Sequence, residues 1–186
     1  MNATVAAPWA TLDDLARHDG KAELINGKVV ALMATGHRPN VIAGRIFRRL
    51  ADYVDARGRG VAYTDNMGFA VPELSSGRES FSPDAAFYTG PLPANLMRFV
   101  VGPPDFAAEV RSDGDFGPAT EAEMAAKRAD YFEAGTQVVW DVDPRANVVR
   151  RYRPNEAEPA VFAAGSEADA EPAVPGWRLA VDWLLA

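Results

Sequence analysis

The run Phe106-Ala107-Ala108-Glu109-Val110-Arg111 constrains this chain most. It is set off by Gly102-Pro103-Pro104 before it and a Gly/Asp-rich loop after it. Small and apolar residues in a short run bounded by breakers predict a buried strand, and burial on both faces predicts a central position in a sheet. Alternation then places Phe106, Ala108 and Val110 on one face and Asp105, Ala107, Glu109 and Arg111 on the other. A carboxylate within such a strand is costly unless it has a partner. Glu109 therefore needs an explanation in chemistry or in ion pairing, with Arg111 or Arg128 as the candidate structural partners.

Around this strand the order reads helix, hairpin, helix, strands, helix, strands. Thr11 to His18 is a short helix with Thr11 as N-cap and Asp14 at the third position. Ala22 to Ile25 and Lys28 to Leu32 flank Asn26-Gly27, the strongest short hairpin signal, so Glu23 faces Val30 and Ile25 faces Lys28. Pro39 suits the first turn of a helix whose apolar face is Ile42, Ile46, Leu50, Tyr53 and Val54, stopped at Gly58. Val61 to Val71 and Phe81 to Tyr88 read as one strand each, separated by a polar loop from Pro72 to Ser80. In the second, Phe81 and Phe87 point one way and Ser82, Asp84 and Ala86 the other. Thr120 and Glu123 form a capping box for a helix closed by Gly135. Gln137 to Asp143 and Val148 to Tyr152 are further strands. The pattern predicts an α/β fold, a mixed sheet flanked by helices with an N-terminal β-hairpin.

At 186 residues the chain is expected to form one domain, with a core from about 11 to 153 and the segment 155–186 packing back through Trp177, Leu179, Val181, Trp183 and Leu184. The absence of cysteine excludes disulfides, thiolate metal sites and cysteine nucleophiles, and His18 and His37 alone make a histidine-rich zinc site improbable. The first ten residues carry no basic segment followed by an apolar run, and no apolar run approaches the ~20 residues of a membrane helix, so a cytoplasmic protein without a membrane partner is expected.

The net charge of −7 argues against loose binding to nucleic acid. Most of it lies in 155–186, where six carboxylates oppose Arg178 alone. Between Arg38 and Arg59 the balance reverses, and Arg38, Arg45, Arg48 and Arg49 are the candidate phosphate contacts. A solvated helix face is their simpler reading.

Neighbouring strands would bring Asp84 and Glu109 to one surface, with Arg111 beside them. Two carboxylates that close repel and raise each other's pKa. A Mg²⁺ or Mn²⁺ ion removes the conflict, since hard cations take oxygen ligands, and a bound ion can activate water beside a phosphate. An ammonium from the following helix would complete the constellation. Lys127 lies at the shoulder of the face made by Met124 and Tyr131, Arg128 nearer its middle, and the helical wheel does not choose between them. Each residue also has a structural alternative: a solvated strand-start carboxylate for Asp84, a surface side chain for Lys127, a helix-start residue for His37, an exposed hairpin residue for Glu23.

Asp84 after Pro83, Glu109 in Ala108-Glu109-Val110-Arg111-Ser112, Lys127 four residues before Tyr131, Ala134-Gly135 and Trp140-Asp141-Val142-Asp143-Pro144 together resemble the Uma-type endonuclease family. That family, formerly a domain of unknown function, belongs to the PD-(D/E)XK restriction-endonuclease-like superfamily. Glu23-Leu24-Ile25-Asn26-Gly27 and His37 before the arginine-bearing helix match the same pattern, which spans Thr11 to Tyr152. The resemblance implies a restriction-endonuclease-like mixed sheet, Asp84 and Glu109 as ligands of Mg²⁺ or Mn²⁺ with the carbonyl of Val110, and Lys127 as the catalytic lysine. Glu23, His37, Arg111 and Tyr131 would lie nearby in supporting roles. In the wider superfamily the lysine sits two residues after the glutamate, where this chain has Arg111, and arginine does not exchange protons near neutral pH. The expected function is metal-dependent hydrolysis of nucleic acid, with DNA as substrate and a homodimer as the simplest way to cut two strands. The alternative is a catalytically silent nucleic-acid-binding or protein-interaction module on the same fold.

Overall fold

The computed structural model describes residues 9–186. Residues 1–8, which include most of the stretch read for a leader, lie outside the described part.

The N-terminal elements follow their local signals. Helix α1 (Leu12–Ala16) is opened by Thr11 in a reciprocal capping box with Asp14. Strands β1 (Ala22–Ile25) and β2 (Lys28–Ala31) pair in the register that the turn demands, Glu23 opposite Val30 and Ile25 opposite Lys28. Asn26 and Gly27 both have positive φ, the requirement of a two-residue hairpin turn. Helix α2 (His37–Arg57) ends on Gly58 in the left-handed region, whose N–H reaches Val54 O.

The main sheet has six strands. Its centre is the parallel pair β8 (Phe106–Val110) and β9 (Val138–Asp143), joined by helix α3 (Pro118–Ala134). Outside β9 lie β10 (Val148–Tyr152) and β11 (Ala160–Phe162), both antiparallel. Outside β8 lie β6 (Ala85–Tyr88) and β3 (Val61–Thr64), also antiparallel. A mixed sheet with buried central strands and helices against it is the architecture expected from the sequence pattern.

Two expected strands are broken. The run Val61–Val71 divides at Asp65-Asn66, where Asn66 turns to positive φ, and resumes as β4 (Phe69–Ala70). The run Phe81–Tyr88 divides at Ser82-Pro83-Asp84, because Pro83 has no N–H for the ladder. Its first part, β5 (Ser80–Phe81), pairs with β4, which also pairs in parallel with β7 (Val100–Val101). The β3–β6 ladder stops at Thr64 opposite Ala85, so Asp65 and Asp84 emerge together just beyond the last pair. The break also inverts an expectation: Phe81 and Phe87 pack on opposite sides of the sheet.

Alternation along β8 and β9 separates two cores. Phe106, Ala108, Val110, Val138, Trp140 and Val142 pack against α2 on one side. Ala107 and Val139 face Phe81 and Tyr131 on the other. α3 begins earlier than a capping box at Thr120 requires: Gly117 is the N-cap and Pro118, whose φ suits the first turn, supersedes it. The acidic segment is more regular than its composition suggests. Strands β12 (Glu167–Asp169) and β13 (Arg178–Ala180) pair, and helix α4 (Val181–Leu185) follows. Ala168, Val174, Trp177, Leu179, Val181 and Leu184 join the α2-side core, with Trp177 5.1 Å from Trp140 and 5.8 Å from Phe106 between ring centroids.

Truncating Trp177 removes the ring that seats this segment on the sheet. Trp177→Ala is expected to cost about 3–5 kcal/mol, read as a lowered urea midpoint with loss of near-ultraviolet dichroism.

Candidate active site

The α3 side of the sheet opens as a cleft of about 720 Å³, and Glu23, Asp84, Glu109 and Lys127 all line it. Glu109 reaches it because β8 alternates; Asp84 reaches it because its strand has just ended. Asp84 restores the missing ladder bond with its side chain, Oδ2 accepting from Val110 N at 2.8 Å while its own N–H donates to Ala108 O. Asp84 is thus tied by backbone and side chain to the strand that carries Glu109.

Lys127 projects from α3 with its Nζ 2.9 Å from Glu109 Oε1 and 3.1 Å from Glu23 Oε1. Tyr131, one helical turn on, donates its hydroxyl to the same Glu109 oxygen at 2.6 Å and stacks its ring on Phe81. The packing separates the two cations that the helical wheel left level. Arg128 turns instead toward Asp141 and Glu121 and lies 4.2 Å over the Tyr152 ring. Ion pairing of Glu109 with Arg111 or Arg128 does not occur; its partners are Lys127 and Tyr131.

Glu23 is the largest departure from its simple hairpin reading. It is 2% exposed. Its Oε2 accepts from Arg78 Nη1 and its Oε1 from Ser82 N at 3.0 Å. Arg78 in turn donates Nε to Asp130 on α3 at 2.8 Å. The hairpin is docked there by main-chain bonds, Asn26 N to Gly77 O and Glu79 N to Leu24 O. Glu23 and Arg78 therefore join the hairpin, the turn carrying Asp84 and the helix carrying Lys127.

The charges follow from these contacts. Burial pushes the Glu109 carboxyl above its usual range, which Lys127 opposes but Asp84 and Glu23 reinforce. For Lys127 burial works against the charge, yet Glu109 and Glu23 outweigh it and hold the ammonium above the ordinary lysine range. Burial likewise works against Glu23, but Lys127, Arg78 and the Ser82 N–H bring its carboxyl below the usual range. Burial and the neighbouring Glu109 carboxylate push the Tyr131 hydroxyl well up, so it serves as a donor.

The remaining candidates lie elsewhere or are otherwise engaged. Arg111 lines the cleft but is locked to buried Asp141 by two bonds, Nε to Oδ1 at 2.7 Å and Nη2 to Oδ2 at 2.5 Å, and also meets Glu121. His37 opens α2, exposed and outside the cleft lining. Arg38 and Arg45 donate to the carbonyls of Leu185 and Leu184, and Arg49 lies over the Trp183 ring. Arg48 is exposed on the same helix. None of these four arginines lines the cleft, and three of them contact the C-terminal segment.

Lys21, Asp65, Arg78, Asp130 and Asp141 were not identified as site residues from sequence. Asp141 carried a signal, since it is an acid in an apolar strand like Glu109. The others become visible only when distant segments meet.

Among the described residues no group of three or more His, Cys, Asp or Glu side chains is placed to hold a metal ion. The donor set here is two carboxylates, Asp84 and Glu109, with Glu109 Oε2 outside the hydrogen bonds just described. That set fits Mg²⁺, which keeps several waters and uses one or two carboxylates plus substrate phosphate.

A mixed sheet with this order, and a cleft on its α3 face, is a nuclease-like α/β fold. It superposes with a TM-score of 0.74 on a crystal structure from Anabaena variabilis ATCC 29413 described as "a putative nuclease belonging to DUF820", at 20% identity, covering 94% of this chain and 97% of that one. The model of the Uma2 family, "Putative restriction endonuclease", matches residues 9–182, and the chain belongs to that family. No curated protein matches. Among the described residues no helix is long and apolar enough to cross a membrane.

Arg78→Met would leave Glu23 and Asp130 buried without their shared cation, an expected loss of about 3–5 kcal/mol in chemical denaturation. The pH dependence has a definite sign. Because the folded-state pKa of Glu23 is depressed, its contribution is present above the unfolded value of about 4.3 and is lost as pH falls through the folded value. Glu23→Gln should be less stable at pH 7 and lose less stability than wild type between pH 5 and about pH 3, as denaturation series at each pH would show.

Proposed function

We propose that this protein is a metal-dependent nuclease that hydrolyses phosphodiester bonds of DNA. One observation carries the reading: Lys127, held as an ammonium, lies 2.9 Å from Glu109 in a cleft that Asp84 also lines. Asp84, Glu109 and the carbonyl of Val110 would hold Mg²⁺ or Mn²⁺. When bound, such an ion lowers the pKa of a water and offsets charge on the phosphate.

The chain's own residues account for the rest. Tyr131 and Lys127 both address Glu109 Oε1, which fixes the carboxylate and directs Oε2 elsewhere. Lys127 stays protonated, so its role is a charged donor that orients the nucleophile and supports the developing negative charge, not a base. Glu23 keeps the lysine aimed by accepting from it on the other side. Two copies acting on opposite strands would give a double-strand cut.

Calorimetric titration with Mn²⁺ tests the ion directly. Saturable binding in wild type, weakened at least tenfold in both Asp84→Ala and Glu109→Ala, is expected. Absence of binding in folded wild type would sink the reading and favour the catalytically silent module. In cleavage of supercoiled plasmid, with structured RNA as comparison, Lys127→Met should lower the rate by about 10²–10³-fold while retaining the ion. Equal rates for wild type and Lys127→Met would remove the lysine from the chemistry.

A further inference from the structure

Lys21 lies just before β1, half-buried in the cleft, and none of the roles above uses it. Its Nζ is 2.8 Å from Asp84 Oδ1 and 2.6 Å from Asp65 Oδ1. Both carboxylates stand at the corner where β3 and β6 leave the main sheet, so the ammonium bridges the ends of two broken strands. Asp84 Oδ2 is occupied by Val110 N, which leaves Oδ1 as the oxygen that Lys21 takes.

Two-ion phosphodiesterases place cations roughly 3.5–4 Å apart on a shared carboxylate, one against the attacking oxygen and one against the leaving oxygen. Here the acid pair has an ammonium on each flank, Lys127 on Glu109 and Lys21 on Asp84. The charges agree with a single ion between them. Two ion-pair chains meet here, Asp65–Lys21–Asp84 and Glu109–Lys127–Glu23–Arg78–Asp130. Five carboxylates against three cations leave a deficit that one divalent ion fills and two would overfill.

We infer that Lys21 is a built-in cation standing where a two-ion nuclease carries its second metal, so that this cleft admits one divalent ion only. The inference rests on the nuclease reading and specifies its metal stoichiometry. Lys21 would sit beside the phosphate at Asp84 Oδ1, supplying charge to the leaving oxygen without a second ion.

Counting bound Mn²⁺ tests this without any substrate. Calorimetry and the electron paramagnetic resonance of Mn²⁺ on the full chain should give one ion in wild type, with no Mn²⁺–Mn²⁺ coupling at saturation. Lys21→Arg keeps a cation and should also bind one. Lys21→Met and Lys21→Gln, the second able still to donate to Asp84, are both neutral and should each bind two ions with spin coupling between them. Asp65→Asn added to either should return the count to one. Two coupled ions in wild type, or a single ion in whichever neutral variants fold, would overturn the inference while leaving the nuclease reading standing. No ion in any folded protein would overturn both.

Discussion

Everything in the cleft depends on how several carboxylates are accommodated together with little water. Glu23 is buried, and Glu109 and Asp84 are half-buried beside it. An unpaired carboxylate so placed would cost several kcal/mol. The fold alternates charges instead: Lys21 lies between Asp65 and Asp84, Lys127 between Glu109 and Glu23, Arg78 between Glu23 and Asp130. Each cation serves two acids from different parts of the chain. Removing Lys21 would strip both Asp65 and Asp84 of their cation, whereas Glu23, paired with both Lys127 and Arg78, would keep one, so the cluster orders the tertiary structure as well as the chemistry.

Broken strands are what give this network its place. Had Val61–Val71 and Phe81–Tyr88 run straight through, Asp65 and Asp84 would be ladder residues with their side chains fixed by pleat. By ending at Thr64 and Ala85, the main sheet frees both positions, and the chain continues into the small sheet of β4, β5 and β7. Asp84 is tied to β8 through Val110 N and Ala108 O and turns its other carboxylate oxygen to Lys21 in the cleft. A second pair, Arg111 with Asp141, closes the adjoining wall with a two-point bond that leaves little freedom to either side chain.

Local signals carried much of this fold. Asn26-Gly27 gave the hairpin and its register, the spacing from Ile42 to Leu50 gave the buried face of α2, and alternation in Phe106–Arg111 sorted Glu109 from the core. Each is a property of neighbouring residues. Pro83 is an equally local signal for a break, and it prevails over the apolar residues on either side. Thr120 and Glu123 satisfied a cap pattern, but Pro118 suits a helix start just as well and comes first. For the site, the acids Asp84 and Glu109 and the helix bearing Lys127 were legible. The partner of Glu23 was not: hairpin geometry says which way a side chain points, and Arg78 arrives from 55 residues away. The alanine-rich tail was obscure for a related reason, since Ala168 and Ala170 are buried by what surrounds them rather than by their own hydrophobicity.

The acidic C-terminal segment packs against the α2 side of the sheet, whereas the cleft opens on the α3 side. Packed layers are spaced about 10 Å apart, comparable to the Debye length of about 8 Å at physiological ionic strength. The acidic tail therefore lies across the sheet from anything that docks at the cleft, and mobile ions weaken its field over that distance. The cleft is anionic in its own right, with Glu23, Asp65, Asp84, Glu109, Asp113, Asp115, Glu123 and Asp141 against Lys21, Arg78, Arg111, Lys127 and Arg128. A polyanion would therefore be repelled at its mouth until a divalent cation offsets that charge, and adding salt would weaken the repulsion.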